Sequence, residues 1–198
     1  MSATTRKLEI INNALMKVGL PLADSLSDVD WNAQTIYETA ARQALRSFAW
    51  GFAMKYKKLT AASTAPTHGF SKSYSMPEEC LRVLDVRSSE DIRAPKARFA
   101  ISGRLIYTNA SPCCARYVSD VISDPESWPD DFADAVSCKI AAEIANLSAQ
   151  TATLTPGLLQ MYQLALAQAQ AIDSTETNER VPLDESILAT RTGAGGTA

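Results

Sequence analysis

Between residues 5 and 19 apolar side chains recur at three- and four-residue intervals. Leu8, Ile11, Leu15 and Val18 therefore share one face of a predicted helix. Thr4 or Thr5 can cap its start. Gly19 and Pro21 stop it, because glycine accepts the left-handed cap and proline cannot continue a helix. An Asp- and Ser-rich connector, 20–30, leads to a second helix over 31–48, with Asp28 or Asp30 as N-cap. Its apolar face holds Ala33, Tyr37, Ala40, Ala44 and Phe48, and the pair is expected to pack as an antiparallel hairpin. From Trp50 the period drops to two, as Trp50, Phe52, Met54 and Tyr56 alternate with small or charged residues. Further short strands are predicted at 70–75, 81–87, 97–101, 104–108 and 115–121. Residues 61–69 read as a loop, 77–80 as one helical turn, and Ser102-Gly103 as a hairpin turn. The helical period returns over 125–149 with Phe132, Val136, Ile140, Ile144 and Leu147. Thr155-Pro156 then opens a last helix to about residue 178, with Leu158, Tyr162, Ala165, Ala169 and Ile172 toward the core.

These elements predict an α+β fold, mainly α: a four-helix bundle with an inserted antiparallel β sub-domain and an extended C-terminal tail. The bundle takes residues 1–49 and 122–178, the β-rich insert 50–121 and the tail 179–198. The tail's composition buries little apolar surface, so it is expected to be mobile alone and ordered against a partner. Val181, Leu183, Ile187 and Leu188 are its apolar anchors and hence candidate interface residues.

Charge adds a second layer. The chain carries a net −3, unevenly spread. Residues 50–119 hold eleven basic and five acidic side chains, net +6, whereas 120–198 hold three basic and twelve acidic, net −9. Lys55, Lys57 and Lys58 form the densest basic cluster, and Arg93, Lys96 and Arg98 a second, with Arg104 close by. Beside Tyr56 and Phe99, these clusters suit either a nucleic-acid backbone or the acidic helices of a neighbouring subunit. A pI near 5.2 argues against strong general DNA binding. No apolar run reaches the roughly 20 residues that span a bilayer. The N-terminus enters an amphipathic pattern rather than a signal region, so synthesis and assembly in the cytoplasm are expected, with no membrane partner.

Candidate chemistry is sparse. His68 stands in a loop beside Gly69 without a fixed partner, which is ordinarily a surface position. Cys80, Cys113, Cys114 and Cys138 form no Cys-x-x-Cys pair and read as reduced, partly buried thiols. Neither they nor His68 match a zinc spacing, and the glycines at 193–196 have no helix after them to make a phosphate loop. Adjacent Glu78 and Glu79 point apart, and Asp130, Asp131 and Asp134 complement a helix N-terminus. No catalytic, cofactor or metal residue is assigned, and no enzyme activity is expected.

Several motifs nevertheless occur in a recognisable order. Val18-Gly19-Leu20-Pro21 is followed by Ser25-Leu26-Ser27-Asp28. The second helix ends in Leu45-Arg46 and Trp50-Gly51-Phe52, and Tyr74-Ser75-Met76-Pro77-Glu78-Glu79-Cys80-Leu81-Arg82-Val83 comes later. This order resembles the tail tubular protein A family, the head-to-tail adaptors of short-tailed bacteriophages, over residues 8–85, with Met76 where the family has Leu. Beyond that only a matching helix pattern continues, to about residue 175. The resemblance implies a homo-oligomeric ring, typically of twelve copies, in the virion tail. Such a ring would join the portal protein to the tail nozzle protein and line the channel through which double-stranded DNA leaves. A nucleic-acid-binding protein using the basic β insert is the alternative.

Overall fold

The computed structural model describes residues 3–64, 66, 69–91, 93–147 and 150–176. Helix α1 spans Ala3–Val18 and α2 Trp31–Ser47. A 3₁₀ turn, Gly51–Ala53, leads into strand β1, Met54–Lys58. Strands β2 (Lys72–Ser75), β3 (Cys80–Arg87), β4 (Phe99–Ser102), β5 (Leu105–Thr108) and β6 (Cys114–Ser119) follow. Helices α3 (Asp130–Leu147) and α4 (Thr155–Glu176) close the described chain.

The end of α1 follows from Gly19. At φ +79° it lets the Gly19 N–H reach the Met16 carbonyl and the Leu20 N–H reach that of Leu15, a Schellman cap. Asn12 then holds the connector through both backbone groups of Ala23 (2.9 and 3.0 Å). Asp30 caps α2 by accepting from the Asn32 N–H at 2.8 Å.

The fold class differs from the sequence expectation: the helices do not form a four-helix bundle carrying one inserted sub-domain. Helix α3 is the hub. It packs against α1, α2 and α4, whereas α1 and α2 touch at few positions and neither runs along α4. The reason lies in α3 itself, whose Phe132, Ala135, Val136, Cys138, Ile140 and Ala141 are buried around most of its circumference. A helix apolar on nearly all sides becomes the centre of a core, not one corner of a symmetrical bundle. Thus α1 and α2 dock separately on α3 and do not form the expected hairpin.

The strands likewise make two sheets, not one. The first has the order β1-β6-β3 and the second β2-β5-β4, each antiparallel. Register shifts in β3 between Cys80 and Arg82, and between Val83 and Asp85, turn its side chains to a three-residue period. Leu81 and Leu84 consequently meet the helical core, while Cys80, Val83 and Val86 meet the second sheet. In β6, Val118 packs with the helices, and Ala115 and Tyr117 with Tyr74 and Ile106. The first sheet is therefore a shared wall between helices on one face and the second sheet on the other. The β4–β5 hairpin closes through Gly103, at φ +59°, and Arg104.

Trp50 locks the passage from α2 to β1. Its indole N–H donates to the Ala44 carbonyl at 2.9 Å, and its ring lies edge-on to Phe132 with centroids 4.8 Å apart. Asp173 of α4 accepts the Gly51 N–H (2.9 and 3.1 Å), tying the last helix to the same junction. At the other end of the core, Lys17 donates to Asp134 (2.8 Å) and Ser137 (2.6 Å), and Arg6 pairs with Asp130, so these acids bind α1 besides opening α3.

Candidate functional site

Strand β1 lies at the edge of the first sheet, hydrogen-bonded on one side to β6. Its position follows from the Trp50 anchor, which delivers the chain to the sheet at Met54. Lys55, Tyr56, Lys57 and Lys58 are all exposed. Cross-strand neighbours share a face in an antiparallel pair, and the register sets Lys55 opposite Tyr117, Tyr56 opposite Arg116, Lys57 opposite Ala115 and Lys58 opposite Cys114. The lysine cluster is therefore divided. Lys55 and Lys57 stand on one face of the sheet and Lys58 on the other, beside Tyr56. Lys57 Nζ approaches Glu79 Oε1 at 3.6 Å, and the Tyr117 hydroxyl donates to the same oxygen at 2.8 Å. The Glu79 carboxyl is held below its usual range by a backbone hydrogen bond first, and then by Tyr117.

The Lys58 face carries a charged cluster that counting basic residues along the chain does not find. Asp85, almost fully buried, accepts from Arg87 Nε at 3.1 Å on one oxygen and from Arg116 Nε at 2.8 Å on the other. Lys96 Nζ lies 3.8 Å away. Arg87 Nη1 also donates to the Ala94 carbonyl at 3.1 Å. A cleft of about 370 Å³ opens here, lined by Tyr56, Lys58, Asp85, Arg87, Glu90 and Arg116 among others. The fold brings Lys96 from the second basic cluster into this group. Arg93 stays exposed in a turn where its N–H meets Asp91, and Arg98 is exposed with its carbonyl held by Thr108. Arg104 is structural: it donates to the Pro77 and Glu78 carbonyls. The available signal in the sequence was Asp85-Val86-Arg87, two charges placed inside an otherwise apolar strand.

The cleft offers the ion-paired Asp85 and exposed hydrogen-bonding edges. The thiols are unsuited to nucleophilic chemistry. Cys80, Cys113 and Cys138 are buried and Cys114 is half-buried, all four free. Burial pushes each thiol up, Cys113 to about 12, so the reactive thiolate is scarce at neutral pH. Among the described residues no three His, Cys, Asp or Glu side chains gather as a metal-ligand set, and no helix is long and apolar enough to cross a membrane. His68 and the tail anchors Val181, Leu183, Ile187 and Leu188 lie outside the described residues. No known family profile matches the chain, and no curated protein matches it.

Proposed function

We propose that this chain is a structural virion subunit, one copy of a head-to-tail adaptor ring that joins a portal protein to a tail nozzle protein and surrounds the DNA exit channel. The observation that carries this reading is the outer side of α4. The helix turns Leu158, Ala169 and Asp173 inward, yet Met161, Leu164 and Ile172 remain 48%, 66% and 41% exposed. At 3.6 residues per turn these three share one side of the helix. Exposed apolar side chains gathered on one helix side, here with Gln168 between Leu164 and Ile172, are of the kind found at interaction faces. A ring buries such a strip against the next copy, and the order of motifs from Val18 to Val83 supports the adaptor class. The segregated charge adds to it, because a basic β1 edge suits the acidic surface of a neighbour and guides encounter and register. The alternative of a nucleic-acid track is less favoured, because β1 splits its lysines between two faces and Glu79 engages Lys57.

The experiment is to purify the chain, mix it with its cognate portal ring, and record native mass and negative-stain images. Closed rings seated on the portal are expected. A chain that stays monomeric at high concentration and leaves the portal bare refutes the proposal.

A further inference from the structure

A second cleft, of about 380 Å³, opens between α1, α2 and the segment after β6, and its floor includes Tyr37. Tyr37 is fully buried, stacks on Trp128 with centroids 5.9 Å apart and planes at 10°, and its hydroxyl has no hydrogen-bond partner. Buried polar groups are rarely left so, because the lost hydration is not replaced. Above the ring sits the Lys7 ammonium, 4.9 Å from the centroid and without an ion pair among the described residues. The acids of the cleft are otherwise engaged: Arg42 reaches Asp120 at 3.3 Å and Glu38 at 3.9 Å. Two donors, the Lys7 ammonium and the Tyr37 hydroxyl, thus share a cleft and lack an oxygen acceptor.

We propose that this cleft binds a carboxylate, which accepts from both Lys7 and Tyr37. A phenol is protonated at neutral pH, and burial pushes Tyr37 further up, so its hydroxyl is available as a donor. The ammonium lies over the ring in the free protein; an entering carboxylate draws Lys7 to itself and accepts from the hydroxyl of the same ring. A single negative charge fits better than a phosphate dianion, since Glu38 and Asp120 also line the cleft. Leu26, Ile122 and Pro125 provide apolar wall for a short aliphatic stem. The carboxylate is either a free small acid or an acidic side chain of another copy. The site is independent of the adaptor proposal.

Propionate is the probe, titrated into the full chain at constant ionic strength, with sodium chloride as the control. The readouts are the NMR shifts of the Tyr37 ring and the Lys7 ε-methylene. Saturable shifts absent with chloride are expected, weakened at least tenfold in both Tyr37→Phe and Lys7→Gln. The free Tyr37→Phe protein should melt at or above the wild-type temperature, because it loses an unsatisfied hydroxyl. Sedimentation separates the two sources. Self-association that propionate inhibits assigns the acid to another copy, and self-association indifferent to propionate assigns it to a free solute. The proposal is overturned if chloride reproduces the shifts, if both variants bind propionate like the wild type, or if Tyr37→Phe melts lower, which would reveal an existing partner for the hydroxyl.

Discussion

Replacing Asp85 by Asn tests whether the charged cluster holds the first sheet together. The Asp85 side chain is 4% exposed, and its two guanidinium partners, Arg87 and Arg116, are 10% and 13% exposed. Asparagine keeps the shape but withdraws the negative charge, leaving two cations in a poorly solvated place. Removing one partner of a buried ion pair costs about 3–5 kcal/mol. Both arginines border an open cleft and regain some water, so the lower end, about 3 kcal/mol, is expected. At roughly 2–4 °C per kcal/mol for a domain near this size, the melting temperature should fall by about 6–12 °C. Lys96→Ala is the internal control. Its side chain is 62% exposed and 3.8 Å from Asp85, and such a surface pair is worth about 0–1 kcal/mol. Urea unfolding followed by circular dichroism measures both variants at neutral pH. A loss below about 1 kcal/mol for Asp85→Asn, or equal losses for the two variants, would refute burial of the pairing as the cause.

Leu164→Glu places a charge on the outer side of α4, and sedimentation should show weakened self-association with an unchanged circular dichroism spectrum; a loss of helix instead would place Leu164 in the fold's own core. Asp173 provides a pH test: burial raises its folded carboxyl above the ordinary value, against the opposing pull of the Gly51 N–H. The folded state therefore binds this proton more tightly than the unfolded state, and the contribution is full below the ordinary Asp pKa and lost as pH rises through the raised one. The stability difference between wild type and Asp173→Asn should shift against the wild type between acid and neutral pH, and a pH-independent difference would contradict the assigned cause.

Local grammar was legible in the residues alone. Gly19 and Pro21 end α1, one of the two candidate caps, Asp30, starts α2, and the change of period at Trp50 marks the passage to strands within a few residues; α4 begins at Thr155-Pro156, but Thr155 is itself helical and its hydroxyl does not act as the expected cap. These features depend on neighbours in sequence, through caps, φ preferences and side-chain period. The arrangement of the elements was not legible. That α3 stands at the centre follows from burial around most of its surface, which a one-face helical pattern understates. Bulges in β3 give two sets of apolar residues to two different cores, and a bulge changes spacing without announcing itself in residue type. The same holds for the candidate sites. Density along the chain grouped Lys55, Lys57 and Lys58, but the two-residue strand period put them on opposite faces. Asp85 and Arg116 lie 31 positions apart and meet only through strand register. Tyr37 was expected on the apolar face of its helix and is there; that its hydroxyl is left without a partner while Lys7 lies over its ring is a fact of tertiary packing. Sequence settles what each segment prefers to be. Only the packed chain settles which polar groups are satisfied and which surfaces are left uncovered, because both depend on contacts between distant segments.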